Sequence, residues 1–329
     1  MGEPSGESAV AQAAMIAYGM QPDTKIELLN LSENATFLVE NPATDDRSIL
    51  RVHRRDYHRC HQIESELDWL EALRGDGEIA VPVVRPHPDG RRVVTIAAGG
   101  TDRYVTHFDM AQGREPDEKS LTTADFRTLG RVTATLHEHA RGWLRPAGFD
   151  RFSWDWEHTL GGQPRWGRWQ DALGVGPEET ALLEQATAQL QRNLVDYGSG
   201  AEVFGLVHAD LRSANLLIDG DDITVIDFDD CGLSWYLYDF GTAVSFIEDD
   251  PALPEWQSAW TDGYRSRCPL SSDDERMLPT FVMLRRLLLL AWMGSHSHSR
   301  ESQAIAMTYA SGSCALADRF LTSRGRTLT

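Results

Sequence analysis

The chain has 329 residues, more than one average domain, so two lobes or domains are expected. With 41% hydrophobic and 25% charged residues it has the composition of a soluble globular protein, which disfavours disorder, collagen-like repeats and coiled coil. The formal charge of −19 argues against a surface that binds nucleic acid or an anionic membrane through bulk charge; it fits a cationic small-molecule substrate or simply a solvated acidic surface.

The opening residues carry no basic n-region or apolar h-region, so no secretory signal is expected, and Gly6 breaks the myristoylation pattern. Short apolar runs then alternate with turns: Ile26 to Leu31, Thr36 to Glu40, Ser48 to His53, Arg92 to Ile96, and Tyr104 to Phe108. These read as strands of an antiparallel sheet. One helix interrupts them, roughly His61 to Leu73, with Ile63, Leu67, Leu70 and Leu73 at helical spacing. After Gly113 the chain turns mostly helical, with Thr122 and Asp125 forming a capping box before Phe126, Leu129, Val132 and Leu136. Trp154, Trp156, Trp166 and Trp169 follow at a density that points to packing, and Glu178 to Leu194 is a further amphipathic helix. Asp273 to Leu321 reads as helical apart from a break near Gly294.

Within that last region Met277 to Met293 is the most apolar stretch, and Arg285 with Arg286 in its middle marks a buried helix with a polar edge rather than a membrane span. Cys60, Cys231, Cys268 and Cys314 lie far apart without a CxxC, so no disulfide framework or zinc ribbon is expected, and the cytoplasm is the default compartment. The expected fold class is α+β: residues 1–110 form a small antiparallel-sheet lobe with one helix, and residues 111–329 a larger, mostly helical lobe.

Several catalytic signatures fail. His137-Glu138-His139 lacks the second histidine of HExxH, Gly232-Leu233-Ser234 has no closing glycine for a nucleophile elbow, and neither Lys25 nor Lys119 follows a glycine as a Walker A loop requires. His296 and His298 read as a solvated loop. Glu248, Asp249, Asp250 and the Asp273-Asp274-Glu275 run could greet a cation or be solvated charge.

The informative segment runs from Gly205 to Asp230. Leu216 to Ile218 and Ile223 to Ile226 flank the turn Asp219-Gly220-Asp221-Asp222, a short hairpin. Asp210 and Asn215 precede its first strand and Asp227 follows its second, so the closed hairpin would bring their oxygens to one point. Oxygen ligands gathered in this way suit Mg²⁺, which favours carboxylates together with substrate phosphates. Singly, each residue could be only a turn or a solvated acidic end. In combination, H-x-D-x4-N, a hairpin and then D-F-D is the order that phosphoryl transfer from a nucleotide needs.

This segment resembles the catalytic core of the aminoglycoside-phosphotransferase and choline-kinase group within the protein-kinase-like superfamily. It looks most like the branch with homoserine-kinase-like and stress-response-kinase-like proteins. The resemblance implies a bilobal kinase fold, ATP with Mg²⁺, and transfer of the γ-phosphate to a hydroxyl of a small, amine-bearing metabolite or antibiotic. It places Asp210 as the residue that takes or orients the hydroxyl proton, His208 as the histidine that packs the catalytic loop, and Asn215 with Asp227 as metal ligands. Leu31 to Phe37 is similar to the nucleotide loop, Ile49 to His53 to the strand with the phosphate-binding basic residue, and Ser65 to Leu70 to the αC helix. Tyr238-Asp239-Phe240 resembles the acidic pair after the metal loop; the Trp260 to Tyr264 segment and the Arg285-Arg286 helix fit the same branch.

At 100° per residue Glu66 falls on the apolar face of its helix and Glu64 on the opposite one, so Glu66 needs a buried partner. By the resemblance that partner is Arg51, the phosphate clamp. Phe108 to Met110 would lie against adenine. Arg51 stands where the family has lysine, and the nucleotide loop has no glycine, so Ser32 and Asn34 would donate in place of bare backbone. Ala209 and Arg212 replace the usual glycine and histidine of the catalytic loop; Arg212 either steadies the γ-phosphate or pairs with an acidic neighbour.

The leading expectation is an ATP-dependent small-molecule kinase. A stress-response serine/threonine protein kinase is the second reading, weakened because so few residues separate Asp227 from Asp239. A nucleotide-binding pseudokinase is the third, motivated by Arg51 and the glycine-free loop. The sequence fixes neither the acceptor nor the oligomeric state.

Overall fold

The structure is a computed structural model that describes residues 6–31, 33–117, 120–220, 222–295 and 300–328, with backbone alone for 300–306. In chain order the elements are α1 (Gly6–Ala17), β1 (Lys25–Leu31), β2 (Ala35–Asn41), β3 (Asp46–Val52), α2 (Cys60–Asp76), β4 (Val93–Ala98) and β5 (Thr101–Asp109). Then come α3 (Thr123–Gly142), α4 (Trp156–Thr159), α5 (Pro177–Tyr197), β6 (Phe204–Val207), β7 (Leu216–Asp219), β8 (Asp222–Val225) and β9 (Gly232–Trp235). The chain closes with α6 (Tyr238–Ala243), α7 (Leu253–Arg265), α8 (Ser272–Glu275), α9 (Leu278–Ser295) and α10 (Arg300–Thr322). Two compact units result: Met1–Arg114 with Leu144–Arg151 and Leu216–Asp229, and Glu115–Trp143 with Phe152–Asn215 and Asp230–Thr329.

The first unit is built on an antiparallel sheet of order β1-β2-β3-β5-β4. Alternate residues of a strand share a face, so Phe37 and Val39, Leu50 and Val52 join Val105 on one side. Val10, Ala11 and Ala14 of α1 cover that side. This helix is absent from the sequence reading, which took the region as strands with one helix; its signal was the alanine-rich run Ala9 to Ala14. Helix α2 buries Ile63, Glu66, Leu67, Trp69, Leu70 and Leu73 and ends at Gly77, whose φ of 70° lets its N–H reach the Leu73 carbonyl. The β7–β8 hairpin pairs Leu216 with Val225 and bridges to Ala80 and Arg114. Gly113 makes room for it: a Cβ there would lie 2.9 Å from the Ile218 nitrogen.

The second unit packs helices around α9, whose side chains are buried almost throughout. Thr122 caps α3, accepting from the Asp125 N–H while the Asp125 carboxylate accepts from the Thr122 N–H. Helices α3 and α7 meet through glycines: a Cβ on Gly130 would lie 2.0 Å from the Trp260 carbonyl oxygen, and one on Gly263 would overlap the Arg127 carbonyl. Trp154, Trp166 and Trp169 are buried as packing residues.

Three expectations need correction. Arg285 and Arg286 are not a polar edge; both are buried, because each finds polar partners inside the unit. Glu248 is likewise buried rather than solvated. The helical region is interrupted at Arg276-Met277, between α8 and α9, as well as near Gly294, where α9 ends at Ser295 and α10 starts at Arg300. His296 and His298 lie outside the described residues. Among the described residues one helical stretch, Ser272–Ser295, is long and apolar enough to cross a membrane, and it is mostly buried within the protein.

Candidate active site

The loop that carries His208, Asp210 and Asn215 follows β6. Ala209 adopts φ +65°, the left-handed conformation for which the family's usual residue is glycine. Two backbone N–H groups at this bend, those of His208 and Ala209, donate to the Asp239 carboxylate at 3.2 and 2.8 Å. His137 of α3 meets the same carboxylate through Nε2 at 3.0 Å and Tyr264 of α7 through Nδ1 at 3.0 Å. Burial pulls the His137 imidazole below its usual value despite Asp239, so the neutral ring donates to Asp239 and accepts from the Tyr264 hydroxyl. His208 is fully buried, and its Nδ1 accepts from the Asp210 N–H at 3.3 Å.

This scaffold delivers Asp210, whose carboxylate is held at both oxygens. Arg285 Nη2 donates to Oδ1 at 2.5 Å, and Asn215 Nδ2 donates to Oδ2 at 2.9 Å and to the Asp210 carbonyl at 2.7 Å. The guanidinium of Arg285 is itself fixed by Ser245 Oγ at 3.0 Å, by the Tyr238 hydroxyl at 3.2 Å and by the Trp166 ring 5.3 Å away. Burial works against its charge, but Tyr238, Asp210 and Asp230 outweigh that and hold it above its ordinary value. Burial pushes the Tyr238 hydroxyl up to about 12, so it stays a neutral partner. Arg212 lies further out, its Nε 4.0 Å from Asp210 Oδ2.

In the first unit, Arg51 of β3 and Glu66 of α2 form the anticipated buried pair, Nη2 to Oε1 at 2.5 Å. Burial opposes the charge on Arg51; Glu66, Asp229 and Asp227 outweigh it and hold the guanidinium above its ordinary value. The ring of Phe108 lies 5.1 Å from this guanidinium. Glu64 points away and pairs with Arg92. Asn34 Oδ1 accepts from the Arg54 N–H at 2.9 Å, which leaves its amide nitrogen as a donor, while the Met110 carbonyl accepts from Gln112 at 3.4 Å. Ser32 lies outside the described residues.

After β8, Asp227 takes φ +62°, and Phe228 is pinned edge-on against Trp69 with centroids 5.3 Å apart. Asp229 is buried beside His53 and His58, each with a ring nitrogen 3.4 Å from Oδ1. Burial raises its carboxyl, but the two histidines and Arg51 outweigh that and hold it well below the usual carboxylate range.

The donor sets suit a nucleotide with a hard cation. Arg51 Nε is buried with no hydrogen-bond partner among the described residues, a donor left over for an anion. Asn215 spends its amide nitrogen on Asp210, so its Oδ1 remains as an oxygen ligand of the kind Mg²⁺ takes.

Residues 26–276 match the phosphotransferase enzyme family. The chain belongs to that family. It is 62% identical to the microcompartment-associated aminopropanol kinase of known structure, over 98% of this chain and all of that one, with a TM-score of 0.92. It is also 26% identical to an amicoumacin kinase of Bacillus subtilis strain 168, over 86% of this chain and 83% of the relative. An amicoumacin kinase solved in complex with AMP-PNP, Ca²⁺ and Ami shares the fold at a TM-score of 0.77 and 22% identity, over 94% and 93% of the two chains. The protein-kinase-like fold and the small-molecule phosphotransferase class expected from the sequence are therefore those of this phosphotransferase.

The sequence singles out Tyr238 and Arg285 only as parts of family-like segments; that they gather with Ser245 around the Asp210 carboxylate was missed. The available signal was the arginine pair inside an apolar helix, since a charge that folding buries must be paired.

Proposed function

We propose that this phosphotransferase moves the γ-phosphate of ATP to the hydroxyl of a short amino alcohol of the aminopropanol type. The observation that carries the reading is the doubly held Asp210 carboxylate on a loop of the family's kind. Similarity in sequence and structure to the aminopropanol kinase over nearly the whole chain supports the acceptor class. None of the four cysteines is joined in a disulfide, which fits the cytoplasm as the compartment.

Asp210 accepts the hydroxyl proton as the new O–P bond forms and the bond from the γ-phosphorus to the ADP oxygen breaks. Arg285 and Asn215 orient its carboxylate for that transfer. Arg51, steadied by Glu66, would hold the non-transferred phosphates, and Phe108 to Met110 would border adenine. Asn215 and Asp227, which flank the β7–β8 hairpin in the chain, are the proposed Mg²⁺ ligands. Mg²⁺ would supply charge neutralisation on the phosphates.

The test is ADP release with ATP, Mg²⁺ and aminopropanol, ethanolamine, choline or amicoumacin as acceptor. Turnover of aminopropanol, cut by about 10²–10⁴-fold in Asp210→Asn with folding unchanged, is expected. Undiminished turnover in Asp210→Asn would refute the assignment of the base.

A further inference from the structure

Among the described residues, Ala209, Asp227 and Phe246 are three of six non-glycine residues with positive φ. The first two belong to segments already assigned to the chemistry. Phe246, at φ +70° beyond the end of α6, does not. It is the third residue of the turn closed by the Ile247 N–H on the Val244 carbonyl, where a positive φ ordinarily takes glycine or asparagine, and a bulky side chain rarely occupies the left-handed region. Strain of this kind gathers where function demands it.

Burial of the ring does not account for it, since Phe246 is 41% exposed. Its neighbours are instead gripped from α9. Ser245 Oγ accepts from Arg285 Nε at 3.0 Å on one side. On the other, Glu248 Oε2 accepts from Arg286 Nη1 at 2.7 Å and Glu248 Oε1 from the Tyr309 hydroxyl at 3.0 Å. Two adjacent arginines thus hold the loop on both flanks of Phe246. The ring centre lies 5.8 Å from that of Tyr309 and 5.9 Å from the Arg212 guanidinium, which in turn reaches toward Asp210.

We propose that Phe246 is a specificity-determining wall of the acceptor site, receiving the carbon skeleton of the amino alcohol while its hydroxyl meets Asp210. The inference rests on the functional reading above. Charge decides which part of the acceptor the ring takes: Arg212 already places a cation beside it, so the acceptor's ammonium is directed elsewhere and its hydrocarbon lies on the ring.

One carbon more or less against an apolar contact changes kcat/KM by roughly 10- to 200-fold. The experiment compares aminopropanol with ethanolamine, one carbon shorter, in the full-length protein and in Phe246→Ala and Phe246→Gly. Wild type is expected to prefer aminopropanol by about 10-fold or more, the preference falling to within about threefold in both variants through the acceptor KM, with the KM for ATP unchanged. Phe246→Gly should melt no lower than wild type, because glycine relieves the backbone. A preference that survives in both variants, or a loss confined to the KM for ATP, overturns the wall. Failure of the wild type to phosphorylate either amine marks instead the failure of the functional reading, and the wall falls with it.

Discussion

Arg285 and Asp210 are joined by a 2.5 Å charge-assisted hydrogen bond from a side chain 3% exposed to one 21% exposed. Burying a guanidinium opposes folding unless the pairing is good, and this one is aimed at the carboxylate that the reaction would use. Removing it frees Asp210 to rotate. Arg285→Met is expected to lower kcat by about 10²-fold with the KM values for ATP and acceptor within about threefold, and Arg285→Lys to recover part of the loss. Steady-state kinetics read beside a melting curve separate this from simple unfolding. A Met variant with unchanged kcat would remove Arg285 from the catalytic arrangement.

Glu66 is fully buried against Arg51. Glu66→Ala leaves the guanidinium without its bonded carboxylate and should destabilise the fold by about 3–5 kcal/mol. Glu66→Gln keeps the shape and should cost less, while raising the KM for ATP by about tenfold as Arg51 loses its orientation. Urea unfolding gives the first number and initial rates across ATP concentrations the second.

The expected element pattern covered most of the fold. The five strands of the first sheet, α2, the capped α3 and the β7–β8 hairpin all stand where periodicity and turn residues put them, because each is specified by residues close in sequence. Glu66 was legible for the same reason: its place on an apolar helix face demanded a partner. Helix α1 escaped because high helix propensity without strong patterning is a weak signal. The surroundings of Asp210 escaped because Arg285 lies 75 residues away: its place in an apolar helix demands a partner without saying which one. Arg51, a reason in the sequence to suspect an inactive chain, forms a buried ion pair with Glu66.

Stability should depend on pH through His107, whose Nε2 lies buried without a hydrogen-bond partner among the described residues. Burial first, and the nearby Arg85 second, pull its imidazole from 6.5 to about 4, against the opposing pull of Asp109 and Asp46. The unfolded chain therefore binds a proton that the folded one refuses between these values. Stability from this site is complete above about pH 6.5 and is lost as pH falls toward 4, by about 2 kcal/mol at pH 5. His107→Gln should flatten that part of the profile, measured as unfolding free energy at pH 7 and pH 5.

The contact of α3 with α7 depends on Gly130 and Gly263 lying against opposing carbonyls. Gly130→Ala has no space for its methyl group and should cost about 1–3 kcal/mol or more as the helices separate. Because His137 and Tyr264 sit on these same helices and brace Asp239, the variant should lose turnover at temperatures where it is still folded. Parallel activity and circular-dichroism melts test this.

The bend that carries Asp210 is tethered to Asp239 and the helices behind it, whereas the turn that carries Phe246 hangs from a pair of arginines on a different helix. One of those arginines, Arg285, also grips Asp210, so the two bends share a mooring. With Phe246 setting the acceptor as proposed, a change in its turn would be felt at the Asp210 carboxylate through that single guanidinium.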